Sequence, residues 1–359
     1  MISVVLTGGG TGGHIYPAVA VAQVLKNDPE IKALYYIGCA DNIEKDIVAR
    51  EGIDFYSVKV SGMPRKVGLK FLIWLLELII AIFKAVYILL KLKPDVVFGT
   101  GGYVTAPVLL ASRILRIPYI IHDPDAHPGM VNRLMAGDAK TVSVAFEQAK
   151  NYIKFNNIKV FGNPIRLSLS NMSREDALKA LGLSPDKITV LVMGGSQGAK
   201  TINDAIRDAV PELTKNGFQV IHQTGKKNYE EYMENFSGEY EEYIVRPYFE
   251  DMSVPLNAAD IAISRAGSLS ISELNLCGLP SILIPYPYAA ADHQRFNARA
   301  MESAGASVYL EDADCTGEKL IELINEVCRN AEKMKQANLT LAKPDAVENI
   351  VSEIKSIIV

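Results

Sequence analysis

The sequence lacks the means to build a disulfide framework or a thiolate metal clasp. Its four cysteines, at 39, 277, 315 and 328, include no C-x-x-C pair, which fits a reduced chain and excludes the common zinc spacings. Its five histidines include no H-x-x-x-H pair. No charge sign dominates. With 37 basic and 41 acidic side chains the net charge is near −4, so the basic footprint of a nucleic-acid-binding protein is missing. Low-complexity segments are absent as well. The first apolar run, Ile2–Leu6, is short and has no basic lead, which reads against a signal peptide. With 49% apolar and 22% charged residues in 359, the composition is that of an ordinary globular protein, and its length predicts two domains.

What is present starts with glycine. The run Ile2–Leu6 stops in GGGTGGH, Gly8 to His14, after which Ile15, Val19, Ala22 and Leu25 recur at helical spacing and Pro17 falls in the first turn. The pattern is strand, glycine turn, helix. A helix N-terminus offers unpaired N–H groups and partial positive charge, which suit a phosphate or polar oxygen. His14 is the titratable side chain at that tip. Gly8, Gly10 and Gly13 match G-x-G-x-x-G, but the acid expected at the end of the second strand is missing, since Asp41 comes about ten residues late. His14 also occupies the lysine position of a P-loop. Both standard nucleotide templates therefore fail at their diagnostic residue.

Short apolar runs alternate with helical stretches along the chain: Ile2–Leu6, Ala33–Ile37, Asp95–Phe98, Tyr119–His122, Thr141–Val144 and Lys159–Phe161. Alternation of this kind implies parallel strands in a doubly wound sheet. GNPIR, Gly162 to Arg166, and the polar stretch after it mark a boundary. The pattern then restarts with Ile188–Met193, the turn GGSQGA (194–199) and a helix, followed by Val220–Gln223, Tyr243–Arg246, Ile261–Ser264, Ser281–Ile284 and Ser307–Tyr309. The expectation is α/β, with two Rossmann-like domains, 1–163 and 164–342, facing across a cleft. The helical stretch within 343–359 is expected to pack back on the first domain.

Val67–Leu92 is the most apolar region. Its polar residues, Lys70, Glu77, Lys84 and Lys91, are spaced seven apart and form one narrow stripe. Three readings fit: a membrane span, a buried core helix, or a helix lying on a membrane surface. A span wants about 18 residues with few charges, and here the longest uncharged run is six. Between Phe55 and Pro94 the cations Lys59, Arg65, Lys66, Lys70, Lys84, Lys91 and Lys93 oppose Glu77 alone. That excess suits an anionic surface, with Phe71, Trp74, Leu75, Leu78 and Ile82 as the inserting side chains.

Several strand-to-helix loops carry candidate chemistry. FGTGGYVTAP (98–107) places Gly101, Gly102 and Tyr103 beside the opening loop. HDPDAHPGMVNR (122–133) gathers His122, Asp123, Asp125 and His127, but its spacing matches no standard metal site. Ser196 in GGSQGA suits a pyrophosphate. In SRAGSLSISEL (264–274), Ser268 reads as an N-cap and Glu273 as an acceptor for a ribose diol. In ADHQRFNA (291–298), Gln294 is placed to reach a sugar hydroxyl.

Taken in order, GGGTGGHIYPAVA, FGTGGYVTAPV, H-x-x-x-A-x-x-G-x-x-N-R, GNPIR, GGSQGA, SRAGSLSISEL and ADHQRFNA resemble the MurG family of glycosyltransferase family 28 over nearly the whole chain. The resemblance implies the GT-B fold and inverting transfer of GlcNAc from UDP-GlcNAc to lipid I, with no cofactor and no metal. It also implies peripheral attachment to the cytoplasmic face of the bacterial cell membrane through the 67–92 helix. For the donor it implies Thr11, Gly12 and Gly13, with Asp125, from the first domain. From the second it implies Arg166 and Ser196 at the diphosphate, Phe249 backbone at uracil, Ser268, Leu269, Ser270 and Glu273 at the nucleoside, and Gln294 at the sugar. Gly10, Thr11, Gly101, Gly102 and Tyr103 would meet the acceptor, and His14 would be the general base. The family commonly reads H-E-x-N where this chain has HDPD, so a carboxylate that only accepts, Asp125, replaces an amide that also donates. Two other activities remain open: sugar transfer to diacylglycerol, and UDP-GlcNAc 2-epimerisation.

Overall fold

The computed structural model describes residues 1–64, 66, 68–165, 172–195, 197–236, 238 and 240–357. The chain divides into two compact units, Met1–Ile165 with Pro344–Val359, and Arg166–Lys343. Among the described residues the first unit has seven strands: β1 (Ile2–Thr7), β2 (Ile31–Gly38), β3 (Asp54–Ser57), β4 (Val96–Gly99), β5 (Tyr119–Asp123), β6 (Thr141–Val144) and β7 (Ile158–Val160). They form one parallel sheet in the order β3-β2-β1-β4-β5-β6-β7. The second unit has six: β8 (Ile188–Met193), β9 (Phe218–Gln223), β10 (Tyr243–Arg246), β11 (Ile261–Ser264), β12 (Ser281–Leu283) and β13 (Ser307–Tyr309), ordered β10-β9-β8-β11-β12-β13 and also parallel.

Central parallel strands are covered on both faces, so they read as continuous apolar runs. ISVVLT in β1 is buried along its whole length. In each unit the chain leaves the first strand to one side and later returns to its other side. That reversal lies between β1 and β4, and again between β8 and β11. In open α/β sheets ligands bind beyond the strand carboxyl ends at such points. GGGTGGH follows β1 and GTGGY ends β4 and follows it, while GGSQGA follows β8 and RAGS follows β11. The glycine turns therefore sit where the topology puts a ligand.

The helix Ala346–Ser356 belongs to the first unit. Val347, Ile350, Val351 and Ile354 join the core under helix Gly12–Lys26. Lys355 pairs with Asp28 and Glu30 at 2.9 and 2.8 Å, and Glu353 with Lys159 at 2.6 Å.

Leu69–Leu92 is one helix of 24 residues; Arg65 and Val67 lie outside the described residues. It is long and apolar enough by composition to cross a membrane, and 22% of its most apolar window is buried. However, β3 before it and β4 after it share one sheet, so both ends of the helix lie in one compartment. Ala81, Ala85, Ile88 and Leu89 pack inward, whereas Leu72, Leu76, Ile79, Ile80, Phe83 and Tyr87 are exposed. Leu75, Lys70 and Lys84 are also exposed. Phe71, Trp74, Leu78 and Ile82 are not fully outward. They are half-buried on the flank, where Leu78 packs on the core and Trp74 Nε1 donates to the Ser61 carbonyl at 2.9 Å.

Candidate active site

In the first unit two glycine turns close on each other at the β1–β4 reversal. A Cβ on Gly102 would lie 2.1 Å from the Gly9 carbonyl oxygen, and its φ of +81° is in the left-handed region, so only glycine fits. Thr100 Oγ1 donates to the His14 carbonyl at 2.5 Å, and Tyr36 Oη to the Gly8 carbonyl at 2.8 Å. The opening loop is thus bound to both neighbouring strands.

His14 lies against the second turn. Its Nδ1 is 3.0 Å from the Thr100 carbonyl oxygen. A carbonyl only accepts, so Nδ1 carries the proton and Nε2 of the neutral ring keeps its lone pair. Among the described residues Nε2 has no hydrogen-bond partner. The side chain is half-buried, while Thr11 is exposed and Gly12 and Gly13 are half-buried beside it. A Cβ on Gly101 would meet His14 Nδ1 and Asn132 Nδ2, each at 3.1 Å, so Gly101 lets two helices, Gly12–Lys26 and Met130–Met135, close on the turn after β4.

The loop after β5 is held from below. His122 is buried, donates through Nε2 to Asn163 Oδ1 and meets Ser143 Oγ through Nδ1, both at 3.1 Å. Burial lowers its pKa to about 4, so it stays neutral. Asp123 is buried too, and accepts from the Asp125 and Gly129 N–H groups and from Asn132 Nδ2. Burial, and then the Asp125 charge, hold its pKa above the ordinary value. Asp125 is half-buried, and its charge acts on both His122 and Asp123. Among the described residues no group of three His, Cys, Asp or Glu is placed to hold a metal ion. The sequence gives Asn132 a place in a motif but no role, and singles out neither Thr100 nor Asn163. Thr100 and Asn163 follow apolar strands, and their partners are distant in sequence; Asn132 lies in the short helix Met130–Met135, nine and ten residues from its partners.

In the second unit Arg166 and Ser196 lie outside the described residues. The described part of the turn after β8 is narrow. A Cβ on Gly198 would be 2.0 Å from the Thr224 carbonyl oxygen, and one on Gly225 would be 2.2 Å from Gly198 N. Helix Lys200–Lys215 starts at Ala199, which supplies no side-chain cap, so its first N–H groups remain available to an anion. Phe249 is half-buried, but its N–H already donates to Gln223 Oε1 at 2.9 Å, which leaves its carbonyl for a base. Ser268 is not the N-cap read from the sequence. Gly267 takes that place in extended backbone, and Ser268 is the buried first residue of helix Ser268–Leu276. Leu269 and Ser270 are half-buried beside it.

Glu273 makes no hydrogen bond or ion pair among the described residues. It is only partly exposed, and withdrawal from water raises its pKa to about 7. Gln294 accepts from the Tyr286 N–H at 2.9 Å through Oε1, so its amide N–H₂ is the end left to donate.

Two parallel sheets with glycine turns at their reversal points make the GT-B fold, and the family models give its class, a glycosyltransferase. Residues 4–144 match the glycosyltransferase family 28 N-terminal domain and residues 189–350 its C-terminal domain, and the chain belongs to that family. It is 38% identical to the UDP-N-acetylglucosamine--N-acetylmuramyl-(pentapeptide) pyrophosphoryl-undecaprenol N-acetylglucosamine transferase of Halothermothrix orenii, covering 99% of this chain and 98% of the relative. It is 35% identical to the enzyme of the same name from Bacillus subtilis, over 99% of both. The crystal structure of Acinetobacter baumannii MurG superposes with a TM-score of 0.81 at 28% identity, over 99% of this chain and 100% of that one.

Proposed function

We propose that this chain transfers GlcNAc from UDP-GlcNAc to the C4 hydroxyl of MurNAc in lipid I, forming lipid II for peptidoglycan synthesis. The observation that carries the reading is the full-length likeness to enzymes named for that transfer. The second unit holds the donor. Its uncapped helix start, with Arg166 and Ser196, receives the diphosphate; Glu273 takes the ribose hydroxyls and Gln294 donates to the sugar. The first unit holds the acceptor at Gly10, Thr11, Gly101, Gly102 and Tyr103.

In the reaction the acceptor O4 forms a bond to the anomeric carbon as the bond from that carbon to the UDP oxygen breaks. The electron pair leaves with UDP, and the O4 proton passes to His14 Nε2. Displacement from the opposite face turns the α-linked donor into a β-1,4 product. Incubation with lipid I and labelled UDP-GlcNAc is expected to give labelled lipid II and UDP in equal amounts. ManNAc release without acceptor, or transfer to diacylglycerol but not to lipid I, would replace this reading.

The Leu69–Leu92 helix supports a peripheral seat on the cytoplasmic membrane face. Its exposed apolar side chains have no cover among the described residues, and Lys70 and Lys84 stand exposed on the same helix. Each such cation near an anionic bilayer contributes about 1 kcal/mol. The double variant L76E/F83E, on the outward face, is expected to lower flotation with anionic vesicles by roughly tenfold or more. Its turnover on a detergent-dispersed, short-chain acceptor should stay within about twofold. Equal flotation of variant and parent removes the surface assignment.

A further inference from the structure

Beside the opening loop, the segment after β2 forms a hydrogen-bonded bracket that the reaction above does not use. Glu44 is fully buried. Its Oε1 accepts from the Cys39 N–H at 3.1 Å and faces Asn42 Nδ2 at 3.1 Å. A backbone N–H can only donate, so this oxygen is an acceptor, and the Asn42 atom turned to it must be the amide nitrogen. The same nitrogen lies 2.9 Å from Tyr103 Oη. Its second hydrogen therefore goes to the phenol oxygen, and the tyrosine's own O–H hydrogen is left for another acceptor.

Tyr103 is in turn held over the glycine loop, where a Cβ on Gly10 would lie 2.9 Å from its ring. A pocket of about 480 Å³ opens on the Asn42 side of this bracket, lined by Gly10, Ala40, Asp41, Asn42, Ile43, Lys45 and Asp46.

We propose that Asn42, fixed by Glu44, is a positioning residue that makes Tyr103 an obligate hydrogen-bond donor to an acceptor-substrate oxygen of the phosphate or carboxylate class. The inference rests on the reading that the first unit binds lipid I, and it adds the residues that set the polarity of that contact. A phenol with both roles open spends part of its time accepting. One whose oxygen is already occupied presents only its hydrogen, and that hydrogen suits an anionic oxygen.

The test is N42D, which keeps the shape. The new carboxyl and Glu44 hold one proton between them, so the new group has no hydrogen for Tyr103; its oxygen accepts the Tyr103 O–H and withdraws it from the substrate. KM for lipid I is expected to rise about tenfold, the worth of one hydrogen bond to a charged group, with KM for UDP-GlcNAc and kcat within about twofold. In the Y103F background N42D should add less than about twofold, because the hydroxyl it acts through is gone. N42A, which frees the phenol without capturing its hydrogen, should cost less than N42D when Tyr103 is present and the same when it is absent. Equal costs of N42D in both backgrounds, or a cost in the donor's KM, overturn the proposal. A parent chain that never turns over lipid I removes the underlying reading and this one together.

Discussion

Replacing His14 by alanine is expected to lower kcat by about 10²- to 10⁴-fold, the usual contribution of a general base, with both KM values changed by less than about threefold. The expectation comes from the tautomer. The Thr100 carbonyl takes the Nδ1 hydrogen, so the ring presents Nε2 with a lone pair and no partner among the described residues. Alanine removes two things at once, the base and the bond that ties the helix start to the loop after β4. Asparagine separates them, since its amide N–H₂ can reproduce the bond to Thr100 while nothing stands in for Nε2. H14N should therefore be as slow as H14A. If H14N restores turnover to within about tenfold of the parent, His14 holds the loop and another group takes the proton.

The second large effect has opposite signs on affinity and on stability. Glu273 has its pKa raised to about 7 because burial penalises its charge and no partner among the described residues compensates. Hydroxyls of a bound ribose would supply that compensation, as hydrogen bonds to a charged acceptor contribute about 1.5–3 kcal/mol. E273Q is expected to raise KM for UDP-GlcNAc by roughly tenfold to hundredfold with kcat nearly unchanged. Donor affinity of the parent should also weaken as pH falls through about 7, where the carboxylate is lost.

Without ligand the same variant should be the more stable protein. Above pH 7 the carboxyl is charged in both folded and unfolded chains, and only the folded one bears the desolvation cost. Between its ordinary value of 4.5 and about 7 the folded state binds the extra proton, so parent stability falls as pH rises through that window. The gain for E273Q is at most about 3 kcal/mol above pH 7 and fades below 4.5. Denaturant titration of both proteins at pH 8 and pH 4.5 measures it. A destabilised E273Q at pH 8 would show that Glu273 has a partner in the folded protein.

Much of this was legible in the chain because parallel strands advertise themselves. The twelve apolar runs read from the sequence all form strands, with ends shifted by a residue or two. β3 was missed because Asp54–Ser57 is an edge strand whose residues are exposed or half-buried, and such a strand has no continuous apolar run to show. His14 stood out because glycine removed every competitor around it. Its protonation pattern did not, for it depends on a carbonyl 86 residues away. Ser268 was misplaced by one residue because Gly267 ahead of it already adopts the extended geometry that starts the helix. The outward face of the 69–92 helix was likewise hidden, since a stretch apolar almost all round does not say which side the sheet will take.

The return of helix Ala346–Ser356 to the first unit sets an order of assembly. Domains generally fold as they emerge from the ribosome, N-terminal first. Here the core between β1 and helix Gly12–Lys26 takes in Val347, Ile350, Val351 and Ile354, which are synthesised only after the whole second unit. The half assigned to the acceptor is therefore the first to begin folding and the last to finish. Through synthesis of the 178-residue segment Arg166–Lys343, it waits with one apolar seam open.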